Sequence, residues 1–146
     1  MSWKQRETTM RNFTRKKISC FNELKKPEND HSTFDDSDER YLVEYKWRGD
    51  KKYPDGTILE RPKTEANLAR SDKTYVYSVE CDGVLYYWNI TQLVEREGQF
   101  EWYTKSLPAT TSFKKREWVE KEIVLLDWDT ADVIIDRKRD QLIKTV

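Results

Sequence analysis

Apolar and polar positions alternate most regularly in RYLVEYKWRGD, residues 40–50, where Tyr41, Val43, Tyr45 and Trp47 alternate with Leu42, Glu44, Lys46 and Arg48. Successive side chains of a strand point to opposite faces, so this predicts a strand with Glu44 and Lys46 side by side on one face. TYVYSVECDGVLYYWNITQL gives two more strand-like runs around Cys81-Asp82-Gly83, and Asp-Gly is a strong hairpin signal. Helical intervals connect Phe13, Lys17, Cys20, Phe21 and Leu24 in a stripe broken by Lys17, with Pro27 closing the helix. Its plain role is to cover a sheet. A turn is expected at Pro54-Asp55-Gly56 and a short helix over TEANLARSD. In FKKREWVEKEIVLL, Phe113, Trp118, Val119, Ile123 and Leu126 fall near helical spacing, which predicts a helix capped by Thr111 or Ser112. The aromatic run FEWY precedes a loop at KSLPATTS, TADVIID reads as a last short strand or packed extension, and RKRDQLIKTV reads as a polar tail of weak helical tendency.

The chain has 146 residues, which suits a single domain spanning 1–146 with the polar tail at its end. Lys and Arg number 27 and so do Asp and Glu. This balance argues against an exterior that grips nucleic acid or an anionic membrane everywhere, and leaves room for a local basic cleft. Aromatic residues make up 13% of the chain and supply core area that the aliphatic content does not. Trp88 and Trp118 lie in patterned apolar runs and are expected in the core, and Trp47 is expected to be buried opposite Glu44.

Cys20 and Cys81 form no CxxC pair, and the start MSWKQRETTMRN lacks the apolar run of a secretory signal. A cytoplasmic protein with two free thiols and no membrane span is expected. With His31 as the only histidine, a zinc site of His and Cys ligands is disfavoured, so a metal would be held by carboxylates. Ser/His/Asp and Cys/His hydrolysis lack their histidine partner for the same reason. No GxxxxGK[ST] or GxGxxG loop is present, which argues against nucleotide-dependent chemistry.

Two carboxylates and a lysine converging at one end of a strand are what metal-dependent phosphodiester hydrolysis needs. Mg²⁺ takes hard oxygen ligands and keeps several waters, and a lysine beside it can orient a water and balance charge. Glu44 and Lys46 share a face, and Tyr45 between them offers a backbone carbonyl to the same metal. A second acid must come from upstream, where Asp36 is chosen with little to separate it from Asp35. Arg48, Lys63 and Lys73 are candidate phosphate contacts. The plain alternative for Glu44 and Lys46 is a solvent-facing ion pair, which contributes about 0–1 kcal/mol.

FDD at 34–36 followed by YLVEYKW at 41–47 resembles the PD-(D/E)xK nuclease superfamily, in its small phage and bacterial form. The resemblance covers about residues 11–93 and implies an α/β (α+β) fold with a mixed central sheet flanked by helices, a restriction-endonuclease-like core. It implies Mg²⁺- or Mn²⁺-dependent cleavage of DNA with Asp36 and Glu44 as metal ligands together with the Tyr45 carbonyl, and Lys46 orienting the attacking water. A helix ahead of the motif contributes a further acid in that family, for which Glu23 is the positional match. DNA is then the expected partner, and pairing as a homodimer is left open. The rival reading is a catalytically inactive docking or inhibitor protein on the same core, anchored to a protein partner by its Tyr and Trp side chains.

Overall fold

The computed structural model describes residues 2–28, 32–70, 72–108 and 117–145. The expected strand is β2 (Tyr41–Trp47), preceded by α1 (Trp3–Lys17), a 3-10 turn (Ser19–Phe21) and the short β1 (Asp36–Ser37). After it come β3 (Thr57–Glu60), α2 (Arg61–Leu68), β4 (Thr74–Cys81), β5 (Val84–Asn89), α3 (Ile90–Glu97), β6 (Tyr103–Pro108) and β7 (Trp118–Leu126). A second 3-10 turn (Trp128–Thr130), β8 (Val133–Asp136) and β9 (Gln141–Lys144) complete the order. The fold is mixed α/β, with a six-stranded mixed sheet ordered β1-β2-β4-β5-β8-β9 and a three-stranded sheet ordered β3-β7-β6.

Strand β2 pairs in parallel with β4 along its whole length, from Tyr41↔Thr74 to Trp47↔Glu80. Parallel neighbours need a crossover, and residues 48–73 supply it through β3 and α2. On its other edge β2 meets β1 only at Asp36↔Val43 and Ser37↔Leu42. The rest of that edge is open to side chains.

Both faces of the large sheet are covered. Against one face, Met10 of α1 with Phe21 and Leu24 packs on Val43, Tyr45, Val76, Leu85, Tyr87 and Ile135. On the other, Tyr75, Tyr77, Val79, Tyr86 and Trp88 pack against Leu59 and Leu126 of the small sheet, Leu93 of α3, and Trp128. The alternation of β2, β4 and β5 sorts these residues between the two layers.

Local chemistry accounts for most of the boundaries. Ser2 and Gln5 close a reciprocal capping box at the start of α1, and Arg15, Lys16 and Lys17 suit its carbonyl end. The helix stops at Lys17 because Ile18 is extended, short of the Pro27 terminus the sequence suggested. At the β4–β5 turn, Asp82 and Gly83 both have positive φ, as a two-residue hairpin requires. Gly56 has φ +120° and a Cβ there would lie 2.1 Å from the Leu126 carbonyl oxygen, so only glycine lets the 48–56 loop lie against the end of β7.

Several expectations are corrected. Residues 118–126 form a strand, because cross-strand pairing with β3 and β6 outweighs an incidental helical spacing of Trp118, Val119, Ile123 and Leu126. The expected cap at Thr111 or Ser112, and Phe113, lie outside the described residues, as does His31. NITQL opens α3, with Asn89 accepting a hydrogen bond from the Gln92 N–H as its cap. KSLP belongs to β6, and the expected tail pairs back on β8 as β9. Trp88 is buried as expected, but Trp118 is 64% exposed and Trp47 40% exposed, with the Arg6 guanidinium lying over the Trp47 ring. Cys20 and Cys81 are both free thiols. Among the described residues no helix is long and apolar enough to cross a membrane.

Candidate active site

Glu44 sits at the centre of the strand pair β2–β4 and is 4% exposed. Its Oε2 accepts a hydrogen bond of 2.8 Å from the Tyr75 hydroxyl on β4. Its Oε1 lies 3.7 Å from Lys46 Nζ and 3.8 Å from Lys63 Nζ on α2. Those separations exceed a good hydrogen bond, so Oε1 is attracted to both ammonium groups and bonded to neither. Burial raises the Glu44 pKa against the pull of Lys46, Lys63 and the Tyr75 bond, and the charge of Asp35 adds to the rise. Burial likewise lowers the pKa of Lys46, with Lys63 and Arg48 reinforcing the effect and Glu44 opposing it.

Asp35 supplies the second carboxylate. Its N–H donates to the Val43 carbonyl, and its Oδ2 accepts from the Tyr45 N–H at 2.7 Å, so the side chain lies along the open edge of β2 just past β1. A strand residue's N–H and C=O point to the same edge, so the Tyr45 carbonyl faces this side too. Burial pushes the Asp35 pKa up to about 6, with the Glu7 charge adding to the rise and the Tyr45 N–H, Lys46 and Lys63 opposing it. Asp35 therefore feels Glu7, Lys46 and Lys63 together.

Asp36, the preferred choice from sequence, belongs elsewhere. It is fully buried on the α1 face, where Oδ1 accepts from Arg11 Nε at 2.5 Å and Oδ2 accepts from the Tyr45 hydroxyl at 2.8 Å. Arg11 also bonds Glu7 at 3.0 Å. Asp36 is a buried strut between α1 and the sheet. Neighbouring residues of an extended chain point opposite ways, which is why Asp35 takes the place expected for Asp36.

The other expected positions divide as follows. Lys46 and Lys63 stand near Glu44, the first partly buried and the second exposed. The Arg48 guanidinium turns inward, donating to the Ile58 carbonyl at 3.2 Å and the Tyr77 hydroxyl at 3.1 Å, so it ties the two sheets together and is not free for phosphate. Lys73 donates to the Asp38 carbonyl at 2.6 Å, at the opposite end of β2. Glu23 is exposed in a shallow cavity with Cys20, Asp38 and Arg40, away from Glu44. The acid that α1 brings toward the site is Glu7. Two groups escaped the sequence reading: Glu7, whose spacing of four from Arg11 signals an ion pair, and Tyr75, which looked like one aromatic among many. Glu60 and Lys121, bonded at 2.7 Å, border the same side, and Glu60 feels both Lys46 and Lys63.

Among the described residues no group of three His, Cys, Asp or Glu side chains is gathered for a metal ion. The donor set is instead two carboxylates and a backbone carbonyl. Each carboxylate has one oxygen held by a protein donor, which leaves the other as a ligand atom, and Mg²⁺ is usually bound through one or two carboxylates with waters completing its shell. These are oxygen donors of the hard type that such an ion takes.

Comparison with protein-family models, with curated proteins and with solved structures finds no match to this chain. The chemistry of the site carries the functional reading.

Proposed function

We propose that this protein is a divalent-metal-dependent nuclease that hydrolyses phosphodiester bonds in DNA on a restriction-endonuclease-like core of the PD-(D/E)xK type. One observation carries the reading: one oxygen of buried Glu44 has the ammonium groups of both Lys46 and Lys63 near it, and the charge of Asp35, held to the Tyr45 N–H at the strand edge, acts on it too. A plain surface ion pair would not bury the acid or surround it with charges that perturb one another. The chain order supports the reading further, since the ExK strand is followed by a helix and a parallel strand.

In this reading Asp35, Glu44 and the Tyr45 carbonyl hold Mg²⁺ or Mn²⁺. The bound ion supplies polarisation of the scissile phosphate and acidifies a water. Tyr75 fixes the Glu44 carboxylate through Oε2, so that Oε1 is presented in one orientation. Lys46, its pKa lowered by burial, positions the attacking water and exchanges a proton more readily than an exposed lysine. Lys63 reaches the same carboxylate from α2 and neutralises charge on the phosphate as it builds up. Glu7 adds negative potential at Asp35, which favours a cation there.

Incubation of supercoiled, linear, branched and single-stranded DNA with the protein and Mg²⁺ or Mn²⁺ tests the proposal. Metal-dependent cleavage that is lost in Lys46→Ala supports it. Absence of cleavage on every substrate overturns it and favours the docking role, and cleavage indifferent to Lys46 overturns the assignment of the site.

A further inference from the structure

Helix α1 runs against β2 in the opposite direction. Arg11 reaches Asp36, which is paired with Val43 in mid-strand, and Arg6 reaches Trp47 at the strand's end. Residues seven apart share one side of a helix, so Trp3 and Met10 face the same way. Met10 is 1% exposed against the sheet, whereas Trp3 is 68% exposed. The first turn of α1 therefore overhangs the carboxyl end of β2, and Trp3 stands on the sheet-facing side at a level where the sheet has ended. The candidate site lies at this same end. Asp35 is held by the N–H of Tyr45, two residues before Trp47, and Glu7, one turn on from Trp3, acts on Asp35.

Two indoles are exposed at this end, and each has a cation against it. The Arg6 guanidinium carbon lies 3.3 Å from the centroid of the Trp47 ring, and Lys4 Nζ lies 5.7 Å from that of Trp3. Among the described residues neither Lys4 nor Arg6 has an ion-pair partner, and the first turn holds no acid although a helix start favours one. Six cations of α1, Lys4, Arg6, Arg11, Arg15, Lys16 and Lys17, stand against the one acid Glu7, in a chain of zero net charge. A ligand that suits this end is flat where it meets the rings and anionic around them. Single-stranded nucleic acid is both, because its unpaired bases offer their faces for stacking beside a phosphate chain. A duplex stacks those faces on one another and withholds them. A bilayer suits it less, since the apolar side of α1 through Met10 is already packed on the sheet and leaves Trp3 alone to enter the lipid.

We infer that Trp3, together with the Arg6–Trp47 stack, forms a platform that holds an unpaired base of single-stranded DNA next to the Asp35 edge of β2. This rests on the nuclease reading above and names its substrate as single-stranded where it is attacked. Stacking of this kind positions a strand without reading its sequence, because every base has a flat face.

Fluorescence anisotropy with a labelled thymidine oligonucleotide and with a blunt duplex, in EDTA so that no cleavage intervenes, tests the platform. The parent protein is expected to bind the single strand more tightly than the duplex. Trp3→Ala is expected to weaken single-strand binding about fivefold or more, Trp3→Tyr to retain most of it, and neither to change duplex binding. Because Trp3 is exposed, the melting temperature of Trp3→Ala should stay within about 2 °C of the parent, which excludes misfolding as the cause. Parent-like single-strand binding by Trp3→Ala, an equal loss on single strand and duplex, or failure of the parent to bind the single strand overturns the inference. Trp3-dependent attachment to vesicles of anionic phospholipid in place of the oligonucleotide overturns it as well. Cleavage is scored separately with Mg²⁺: Lys46-dependent cutting with Trp3-independent binding removes the platform and keeps the nuclease, and Trp3-dependent binding without any cutting does the reverse.

Discussion

Replacing Asp35 by Asn should stabilise the protein while abolishing metal-dependent cleavage. The Asp35 carboxyl has its pKa raised from 3.8 to about 6, chiefly by burial. Below about pH 4 the group is protonated in the folded and the unfolded chain, and it contributes nothing to the pH dependence. Between these two values the folded chain retains a proton that the unfolded chain has lost, so the native state weakens as pH rises. Above about pH 6 both states are ionised and the full penalty applies, which at 1.36 kcal/mol per pH unit is at most about 3 kcal/mol. Asn is nearly the same size and keeps an acceptor for the Tyr45 N–H, so it removes the charge without opening a cavity. Urea denaturation in EDTA should give Asp35→Asn a gain of up to about 3 kcal/mol near pH 8, roughly 9 °C in melting temperature, shrinking toward zero near pH 4. Mg²⁺ should raise the stability of the parent alone and narrow the gap, because only an ionised carboxylate binds the cation. A variant no more stable than the parent at pH 8, or a difference independent of pH, would refute the reasoning.

The remaining expectations concern the neighbours of that group. Lys46→Ala should lower kcat for DNA cleavage by about 10²–10⁴-fold with little change in affinity, measured by single-turnover gel assay. Tyr75→Phe leaves Glu44 Oε2 without its hydroxyl donor and should raise the Mg²⁺ concentration needed for half-maximal cleavage by roughly 10-fold or more, read from a metal titration. Arg11→Ala strands the fully buried Asp36 carboxylate and should cost about 3–5 kcal/mol in urea unfolding near pH 8.

Much of this arrangement was legible before any coordinates. The alternation in residues 40–47 set the two faces of β2, and Asp82-Gly83 marked the hairpin because that turn needs two residues tolerant of positive φ. The missed elements failed for physical reasons. Apolar residues on both sides of Asn89, Trp88 before it and Ile90 and Leu93 after it, hide the change of period from β5 to α3, and the Asn89 cap was the local sign of it. Strands β6 and β9 are exposed edges with no apolar alternation to betray them. In β7, Val119, Ile123 and Leu126 mimic a helical stripe, and only pairing on both sides settles the matter. The choice between Asp35 and Asp36 depends on the β1–β2 register, and Glu7 and Tyr75 reach the site from distant parts of the chain. Local pattern carries no information about either.

The adjacency of Asp35 and Asp36 has a bearing on how faithfully the chain folds. One aspartate lies along an open strand edge and its neighbour is locked to Arg11 and Tyr45 on the α1 side, while β1 holds only two register pairs to keep them apart. A slip of a single residue in one direction would bring Asp36 to the open edge and Ser37 opposite Arg11, leaving the buried guanidinium without its carboxylate. The misaligned chain would lose that buried pair and the stability it brings, so the Arg11–Asp36 bond favours the register that keeps Asp35 along the edge of β2.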